Sequence, residues 1–161
     1  MSCNTVHCRF APHQPVAPRD HAAIDAAINH FIIGEKEASL IELLKDKVND
    51  DATLVRRGRF LTTTFLIEIG SAQWLVSIVE GQIVSVSHGP FVMPSWSFAL
   101  RAPQEEWQKF WSARPQPGSN DLMALIKRRV LRAEGDLHVF MANLRYFKEC
   151  LEKLRPAGVT A

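Results

Sequence analysis

Residues 60–89 read FLTTTFLIEIGSAQWLVSIVEGQIVSVSHG, with apolar side chains at alternating positions in three successive runs. Side chains of a β-strand point alternately to opposite faces, so a period of two indicates a strand with one buried face. Gly70-Ser71 and Glu80-Gly81 interrupt the alternation where tight hairpin turns are expected. The stretch therefore predicts three consecutive strands in an antiparallel meander.

The predicted meander has one apolar face and one more polar face, as expected for an antiparallel sheet packed on one side. A fourth strand is expected in SWSFALRA, residues 95–102, and Ile83 is assigned to the polar face. The side chains predicted to point inward are Leu61, Thr63, Phe65, Ile67, Ile69, Trp74, Val76, Ile78, Val84, Val86, Trp96, Phe98 and Leu100.

Helical patterns flank the strands on both sides, with apolar residues at every third or fourth position. The patterns are AAIDAAINHFII (22–33), EASLIELLKDKV (37–48), PQEEWQKFWSA (103–113), DLMALIKRRVL (121–131) and EGDLHVFMANLRYFKECLEKL (134–154). Asp20 can cap the first helix, Ser119 or Asn120 the fourth, and Asp136 the fifth. Residues 130–134 fit either the end of a helix or a short fifth strand.

Helices and strands are segregated along the chain, which is typical of an α+β fold. We therefore expect an antiparallel sheet of about five strands with helices packed on one face. The 161 residues suit one domain, which we place at residues 20–155. Residues 1–19 contain three prolines and no hydrophobic period, so we expect a poorly ordered tail there. Residues 156–161 are predicted to form a C-terminal tail.

The composition, with 47% apolar and 22% charged residues, suits a soluble globular protein. No window approaches the roughly 18 continuous apolar residues of a membrane span, and the N-terminus lacks the apolar segment of a signal peptide. Together with only three cysteines, these features predict a cytoplasmic protein with reduced thiols. The net charge of +2 and the short basic runs at 56–59 and 127–129 argue against a nucleic-acid partner.

Candidate catalytic and metal-binding groups are sparse. His88 and His138 lie at a strand end and in the first turn of a helix, and neither belongs to a recognisable nucleophile motif. Cys3, His7 and Cys8 could be drawn as metal ligands, but no fourth ligand stands at a suitable spacing. An enzyme is therefore the weaker interpretation, and neither a catalytic residue nor a metal ligand is predicted.

Aromatic rings and methionines are concentrated on the faces predicted to point inward. A filled core and a concave apolar cavity both fit this pattern, because large rings leave irregular gaps and methionine adapts to varied apolar partners. The residues are Trp74, Trp96, Phe98, Trp107, Phe110, Trp111, Met123, Phe140, Met141 and Phe147.

The second half of the chain resembles the sterol carrier protein 2 (SCP2) family of lipid-binding domains. The resemblance is carried, in this order, by WLVSIVEGQIVSVSHG (74–89), WSFALRAPQEEWQKFW (96–111), NDLMALIKRR (120–129) and VLRAEGDLHVFMANLRYFKECLEKL (130–154). It covers roughly residues 55–155. The Pro-rich loop ARPQPGSN (113–120) and the longer N-terminal region depart from the family pattern.

The resemblance implies a five-stranded sheet covered by helices, with an apolar tunnel between them and no cofactor. The implied ligand is a sterol, a fatty acyl chain or a prenylated quinone-like lipid, with at most transient membrane contact. Some bacterial members resemble accessory factors that hold a lipid intermediate for partner enzymes of quinone synthesis. By position, the expected ligand-binding residues are Phe65, Ile67, Trp74, Val76, Ile78, Val84, Val86, Phe98, Leu100, Trp107, Phe110, Trp111, Leu122, Met123, Ile126, Phe140, Met141, Leu144 and Phe147.

Three functions stay open at this point. The leading hypothesis is a non-catalytic lipid carrier with a hydrophobic ligand in the tunnel. The second is a scaffold or accessory subunit that presents a lipid intermediate to partner enzymes and whose tunnel is partly filled. The third is a small enzyme that uses His88 or His138 in the same cavity.

Overall fold

The computed structural model of this chain describes residues 41–156. The predicted tail of residues 1–19, the predicted helix of residues 22–33 and residues 157–161 lie outside the described residues. The predicted helix of residues 37–48 is described from residue 41, and helical structure continues there to residue 49 (α1, 41–49).

After α1, the chain forms a second helix that was not predicted from the sequence, and then follows the predicted order of strands first and helices afterwards, with a fifth strand formed among the helices. The elements after α1 are α2 (Ala52–Arg57), β1 (Thr63–Ile69), β2 (Ala72–Val79), β3 (Gln82–His88), β4 (Phe98–Ala102), α3 (Gln104–Phe110), α4 (Leu122–Lys127), β5 (Arg132–Gly135), α5 (Leu137–Ala142) and α6 (Leu144–Glu152). For residues 130–134, which fitted either a helix end or a short strand, the structure thus has the short fifth strand, β5, at Arg132–Gly135. Within residues 41–156, no helix is both long and apolar enough to traverse a bilayer.

The five strands form one mixed sheet in the order β3-β2-β1-β4-β5. The meander β1-β2-β3 is antiparallel as predicted, and β5 is antiparallel to β4. The prediction of a wholly antiparallel sheet is wrong, because β4 runs parallel to β1. Residues 89–97 return the chain to the start of β1, where the Ser97 N–H donates to the Thr64 carbonyl at 2.8 Å, so β4 enters the sheet in the same direction as β1.

The β2–β3 hairpin turns at the predicted Glu80-Gly81 pair, both of which have positive φ (51° and 79°). Positive φ at both central residues matches the twist of the flanking strands, which is why such turns favour glycine. A Cβ at Gly81 would also lie 2.5 Å from the Val55 carbonyl oxygen. The hairpin tip is thus packed directly against α2, and only glycine fits there.

A β-bulge in this hairpin changes which residues of β3 face inward. Ser77 pairs with Ser85 but Ile78 pairs with Ile83, so Val84 is an extra residue without a cross-strand partner. Ile83 is consequently buried and Val84 is 47% exposed. The assignment of Val84 to the inner face and Ile83 to the polar face is wrong for this reason, whereas Val86 does lie opposite Val76.

The helix caps are partly as predicted. Asp136 caps α5 by accepting from the His138 N–H, as expected. The cap of α4 is Asp121 and not Ser119 or Asn120, because the Asp121 carboxylate accepts from the Met123 N–H at 2.8 Å. The long helix predicted after Asp136 is divided into α5 and α6 at Asn143 (φ −115°, ψ 23°).

One hydrophobic core joins the inner face of the sheet to the helices. The inner face carries Phe65, Ile67, Ile69, Trp74, Val76, Ile78, Ile83, Phe98, Leu100 and Ala102. The opposite face bears a polar row in which Arg101 pairs with Glu68 and Glu134, and Gln73 donates to Glu68. Leu66 and Ala99 are also buried on this second face.

Candidate functional site

Most of the residues predicted to bind a ligand are buried between the sheet and the helices. Those that are buried are Phe65, Ile67, Trp74, Val76, Ile78, Phe98, Leu100, Trp107, Phe110, Trp111, Leu122, Phe140 and Phe147. Those that are partly buried against the same core are Val86, Ile126 and Leu144. That any of them contacts a ligand stays a prediction.

Val84, Met123 and Met141 lie at the surface instead, with 47%, 36% and 50% of their area exposed. The bulge accounts for Val84. Met123 and Met141 each follow a buried residue, Leu122 and Phe140, and the next residue of an α-helix lies about 100° further round its axis. The prediction placed both members of each pair on the inward face, which made the apolar stripe of each helix too wide.

Four phenylalanines form the centre of the buried region. Phe65 on β1 and Phe98 on β4 are stacked with ring centroids 5.2 Å apart, and Phe147 of α6 stands edge-on to Phe98 at 4.9 Å. Phe140 of α5 packs beside them, 5.4 Å from Phe98 and 5.9 Å from Phe147. These separations are typical of directly contacting aromatic rings. The four rings therefore occupy the space between the sheet and the α5–α6 pair.

Trp107 and Trp111, on and just after α3, form a second aromatic group. Their rings are stacked at 5.1 Å, and each indole N–H has a backbone acceptor. Trp107 donates to the Glu68 carbonyl and Trp111 to the Leu151 carbonyl, both at 3.0 Å. These bonds tie α3 to β1 and to α6, so the polar atoms of this group are satisfied as burial demands.

Tyr146 and Cys150 are buried on α6. The Tyr146 hydroxyl donates to the Gly81 carbonyl at 2.8 Å, which joins α6 to the hairpin tip. Burial, with a smaller contribution from Cys150, raises the pKa of Tyr146 above its usual range. Burial likewise raises the pKa of the Cys150 thiol to about 12, so the thiol stays protonated and unreactive at neutral pH.

Trp74 on β2 differs from the other buried indoles. It is 1% exposed, yet within the described part of the chain its Nε1–H has no hydrogen-bond acceptor. It lies between Ile67 of β1 and His88 of β3 in the strand register. The exposed His88 imidazole lies against the indole, with ring centroids 5.0 Å apart.

A surface hollow of about 410 Å³ borders this position. It is lined by Ser71, Ala72, Gln73, His88, Gly89 and Pro90. Ala72 points to the same face as Trp74, since the two are separated by one residue of a strand, and it packs against the core. The hollow therefore lies at the end of the inner face next to Trp74.

Two further hollows have a more basic lining. One of about 620 Å³ includes Arg101, Arg129 and Arg132, and one of about 460 Å³ includes Arg56 and Arg59. None of the predicted ligand-binding residues lines either of these hollows or the one beside Trp74. The apolar tunnel thus stays a prediction.

Ion pairs connect α6 to the neighbouring helices on the outside. Lys153 binds Asp51, the cap of α2, at 2.6 Å, and Lys148 binds Asp121, the cap of α4, at 2.5 Å. The hydrogen bond from Lys153 holds the pKa of Asp51 below its usual range. Burial raises the pKa of Asp121, but hydrogen bonds from Lys148 and the Met123 N–H outweigh it, so this pKa also lies below its usual range.

Among the described residues, no group of three or more His, Cys, Asp or Glu side chains could hold a metal ion. The candidate ligands Cys3, His7 and Cys8 lie outside those residues. His138 is exposed, and its backbone N–H donates to Asp136. His88 contacts Trp74 and is the only histidine of the described chain placed next to the inner face.

Sequence reasoning missed the pairing of Trp74 with His88. A hairpin that kept the register of Val79 and Gln82 would place Ser87 opposite Trp74, and the extra residue Val84 places His88 there instead. A bulge carries no clear sequence signature, so the pattern of residues 72–89 could not have revealed this contact.

No model of a known protein family matches the chain, and no curated protein matches it. Solved structures do. A crystal structure of sterol carrier protein 2 has a TM-score of 0.61 and 10% identity, and the match covers 74% of this chain and 95% of that one. A conserved hypothetical protein from Thermus thermophilus, for which a sterol carrier identity was suggested, has a TM-score of 0.56 and 9% identity over 76% of this chain and 90% of that one.

A ubiquinone synthesis protein named UbiJ-SCP2 has a TM-score of 0.50 and 19% identity, covering 73% of this chain and 88% of that one. At these identities the likeness establishes the fold and nothing further. The chain has the SCP2-like fold, as the resemblance in its second half implied.

Proposed function

We propose that this protein is a non-catalytic carrier that binds a lipid between the inner face of its sheet and helices α3–α6. One observation carries the proposal: a sheet of the SCP2-like fold presents a continuous apolar inner face to a layer of short helices. Two of the solved structures that share the fold are named for sterol carriage, and a third for ubiquinone synthesis. An elongated apolar ligand matches the chemistry of that face.

Helix α5 is the element whose movement would best open such a space. It spans six residues, and Phe140 is its one fully buried side chain. Leu137 and Met141 on the same helix are exposed, so only one large ring has to leave the core when α5 moves. Exposing a phenylalanine costs about 1.5–3 kcal/mol, whereas each buried methylene contributes about 0.8 kcal/mol. About four ligand methylenes therefore offset the opening.

Native mass spectrometry after mild purification tests the proposal, with organic extraction of any bound molecule. We expect a lipid adduct, or micromolar binding of a fluorescent fatty acyl or prenyl probe to the delipidated protein. A protein that carries no adduct and responds to neither probe would contradict it.

A matched pair of variants locates the binding site. Phe140→Leu removes volume from the ring cluster and should shift the preference towards bulkier ligands. Phe60→Leu is the control, because Phe60 is 87% exposed and lies outside the core. If the two variants show the same ligand preference, the ligand does not bind next to Phe140.

A second candidate function is an accessory subunit with a filled core that acts through partner enzymes. The contacts among the four phenylalanines favour it, since those rings already occupy the space that a ligand would take. The same binding experiment separates the two functions, because a filled core predicts no response to either probe. The third possibility is an enzyme that uses His88 or His138. It predicts that replacing the histidine in use by alanine abolishes turnover of a substrate, and unchanged turnover in both alanine variants would contradict it.

A further inference from the structure

Among the residues that the structure describes, the indole N–H of Trp74 lacks an acceptor, whereas the other buried aromatic donors have one. Trp107, Trp111 and Tyr146 each donate to a backbone carbonyl at 2.8–3.0 Å. Within residues 41–156, the Nε1 of Trp74 is the buried side-chain nitrogen that has no partner. Leaving a buried donor unpaired costs free energy, so such a group in a native fold needs an explanation.

The donor lies close to a surface hollow, although Trp74 is not among the residues that line it. Trp74 is on the inner face near the start of β2, with apolar Ile67 beside it on β1. Its two flanking inner-face neighbours, Ala72 and His88, line the hollow of about 410 Å³ that opens at this end of the sheet. The indole thus lies directly beside two residues that line the hollow, at this end of the inner face.

The donor also defines the chemistry of a partner. An indole N–H can only donate, so it requires an acceptor such as a carbonyl, carboxylate or hydroxyl oxygen. Apart from the His88 imidazole, the neighbours of the ring in the sheet are apolar, with Ile67 and Val76 on adjacent inner-face positions. A hydrocarbon chain fits the apolar surroundings, but it leaves the N–H unpaired.

We propose that Trp74 Nε1 donates a hydrogen bond to a terminal carbonyl, carboxyl or hydroxyl oxygen of the bound lipid. The oxygen lies beside the hollow at His88, and the apolar chain extends along the inner face. This inference rests on the proposed carrier function and specifies which end of the lipid is recognised and by which atom.

A four-way comparison of two proteins and two ligands tests the hydrogen bond. The proteins are the full chain and its Trp74→Phe variant, which keeps an aromatic ring and removes the N–H. The ligands are 2-tridecanone and tridecane, delivered from cyclodextrin, which differ in the accepting oxygen. We expect the variant to bind the ketone roughly three- to tenfold more weakly than the native chain does, while tridecane binding changes less than about twofold.

The other outcomes overturn the inference. An equal loss for both ligands would mean that Trp74 contributes packing alone. No change for either ligand would mean that the N–H meets only water. Failure of the native chain to bind either ligand would overturn the carrier function together with this inference, whereas the first two outcomes leave the carrier function standing.

A proton–nitrogen NMR spectrum of the native chain provides a second test that does not depend on the variant folding. The Trp74 indole resonance should shift downfield with 2-tridecanone and stay in place with tridecane. The indole resonances of Trp107 and Trp111 are internal controls, because their acceptors belong to the protein. A ketone that moves those two resonances as much as that of Trp74 would contradict the assignment.

Discussion

Trp111, just after α3, and Trp74 on β2 are both almost completely buried, yet of the two only Trp111 has an acceptor for its indole N–H among residues 41–156. We call Trp107, Trp111, Tyr146 and Cys150 the helical side of the core, and Ala72, Trp74 and His88 the strand side. On the helical side, every buried aromatic donor has a backbone acceptor, and ion pairs tie α6 to its neighbours. Burial alone therefore does not explain the unpaired group at Trp74, and in the proposed carrier a lipid oxygen supplies its acceptor.

Thiol reactivity should show the largest difference between the two sides. In a chain with Cys3 and Cys8 replaced by serine, Cys150 should react with iodoacetamide at pH 8 on the order of a thousandfold more slowly than a cysteine introduced by His88→Cys. Burial keeps the Cys150 thiol protonated, whereas position 88 is exposed. Mass spectrometry measures the alkylation rates of both thiols. Comparable rates would mean that the helical side opens readily.

Replacing each tryptophan by phenylalanine should separate the two sides in stability. Trp111→Phe removes ring volume and leaves the Leu151 carbonyl without its donor, so we expect a loss of about 2–4 kcal/mol in the free energy of unfolding. Trp74→Phe removes similar volume but no hydrogen bond, and its cost should be smaller by about 1–2 kcal/mol. Urea denaturation measures the free energy of unfolding of both variants. Equal losses would mean that the two sides of the core do not differ in how they hold their tryptophan.

Tyr146→Phe isolates the hydrogen bond that joins α6 to the hairpin tip. The substitution keeps the ring and leaves the buried Gly81 carbonyl unsatisfied, so we expect a loss of about 1–2 kcal/mol. The same urea titration tests this value. A neutral effect would indicate that water can reach the carbonyl, and that the helical side is less closed than its hydrogen bonds suggest.

The smallest expected effect is the loss of the Asp121–Lys148 ion pair, which ties α6 to the cap of α4, when the pH is lowered. The pKa of Asp121 lies below its usual 3.8, so its stabilising effect is present above that pH and is lost as the pH falls through the lower value of the folded state. Asp121→Asn keeps the capping oxygen but removes the charge that pairs with Lys148. It should cost less than about 1 kcal/mol at pH 6 and nothing near pH 2. A pH-independent effect of the substitution would show that the cap matters and the ion pair does not.

Strands β1–β4, both hairpin turns and the cap at Asp136 could be predicted because local pattern determines them, whereas β5 fitted a helix end equally well. A period of two, glycine at turns and aspartate before a helix each act over a few residues. The direction of β4 could not be predicted in this way, since it depends on where residues 89–97 return to the sheet. The exposure of Met123 and Met141 depends on which neighbour takes the buried side of a short helix, and spacing alone leaves that undecided.

The burial of most of the candidate ligand-binding residues could be predicted, but the unpaired donor among the described residues could not. Sequence places Trp74 on the inner face, and the structure confirms its burial. That its N–H finds no acceptor, whereas Trp107 and Trp111 find carbonyls 39 and 40 residues away, is a property of tertiary contacts. Such contacts cannot be inferred from residue type or periodicity.

The extra residue at Val84 has a consequence for how this hairpin could change by insertion and deletion. The turn is held in place by the contact of Gly81 with α2, and Ile83 is fixed opposite Ile78, so the loss of the codon for Val84 would remove the bulge and place Ser85 directly after Ile83. Val86 would keep its place opposite Val76, and His88 would stay opposite Trp74. The hairpin could thus lose one triplet of coding sequence at this position without any change in the side chain that borders the indole.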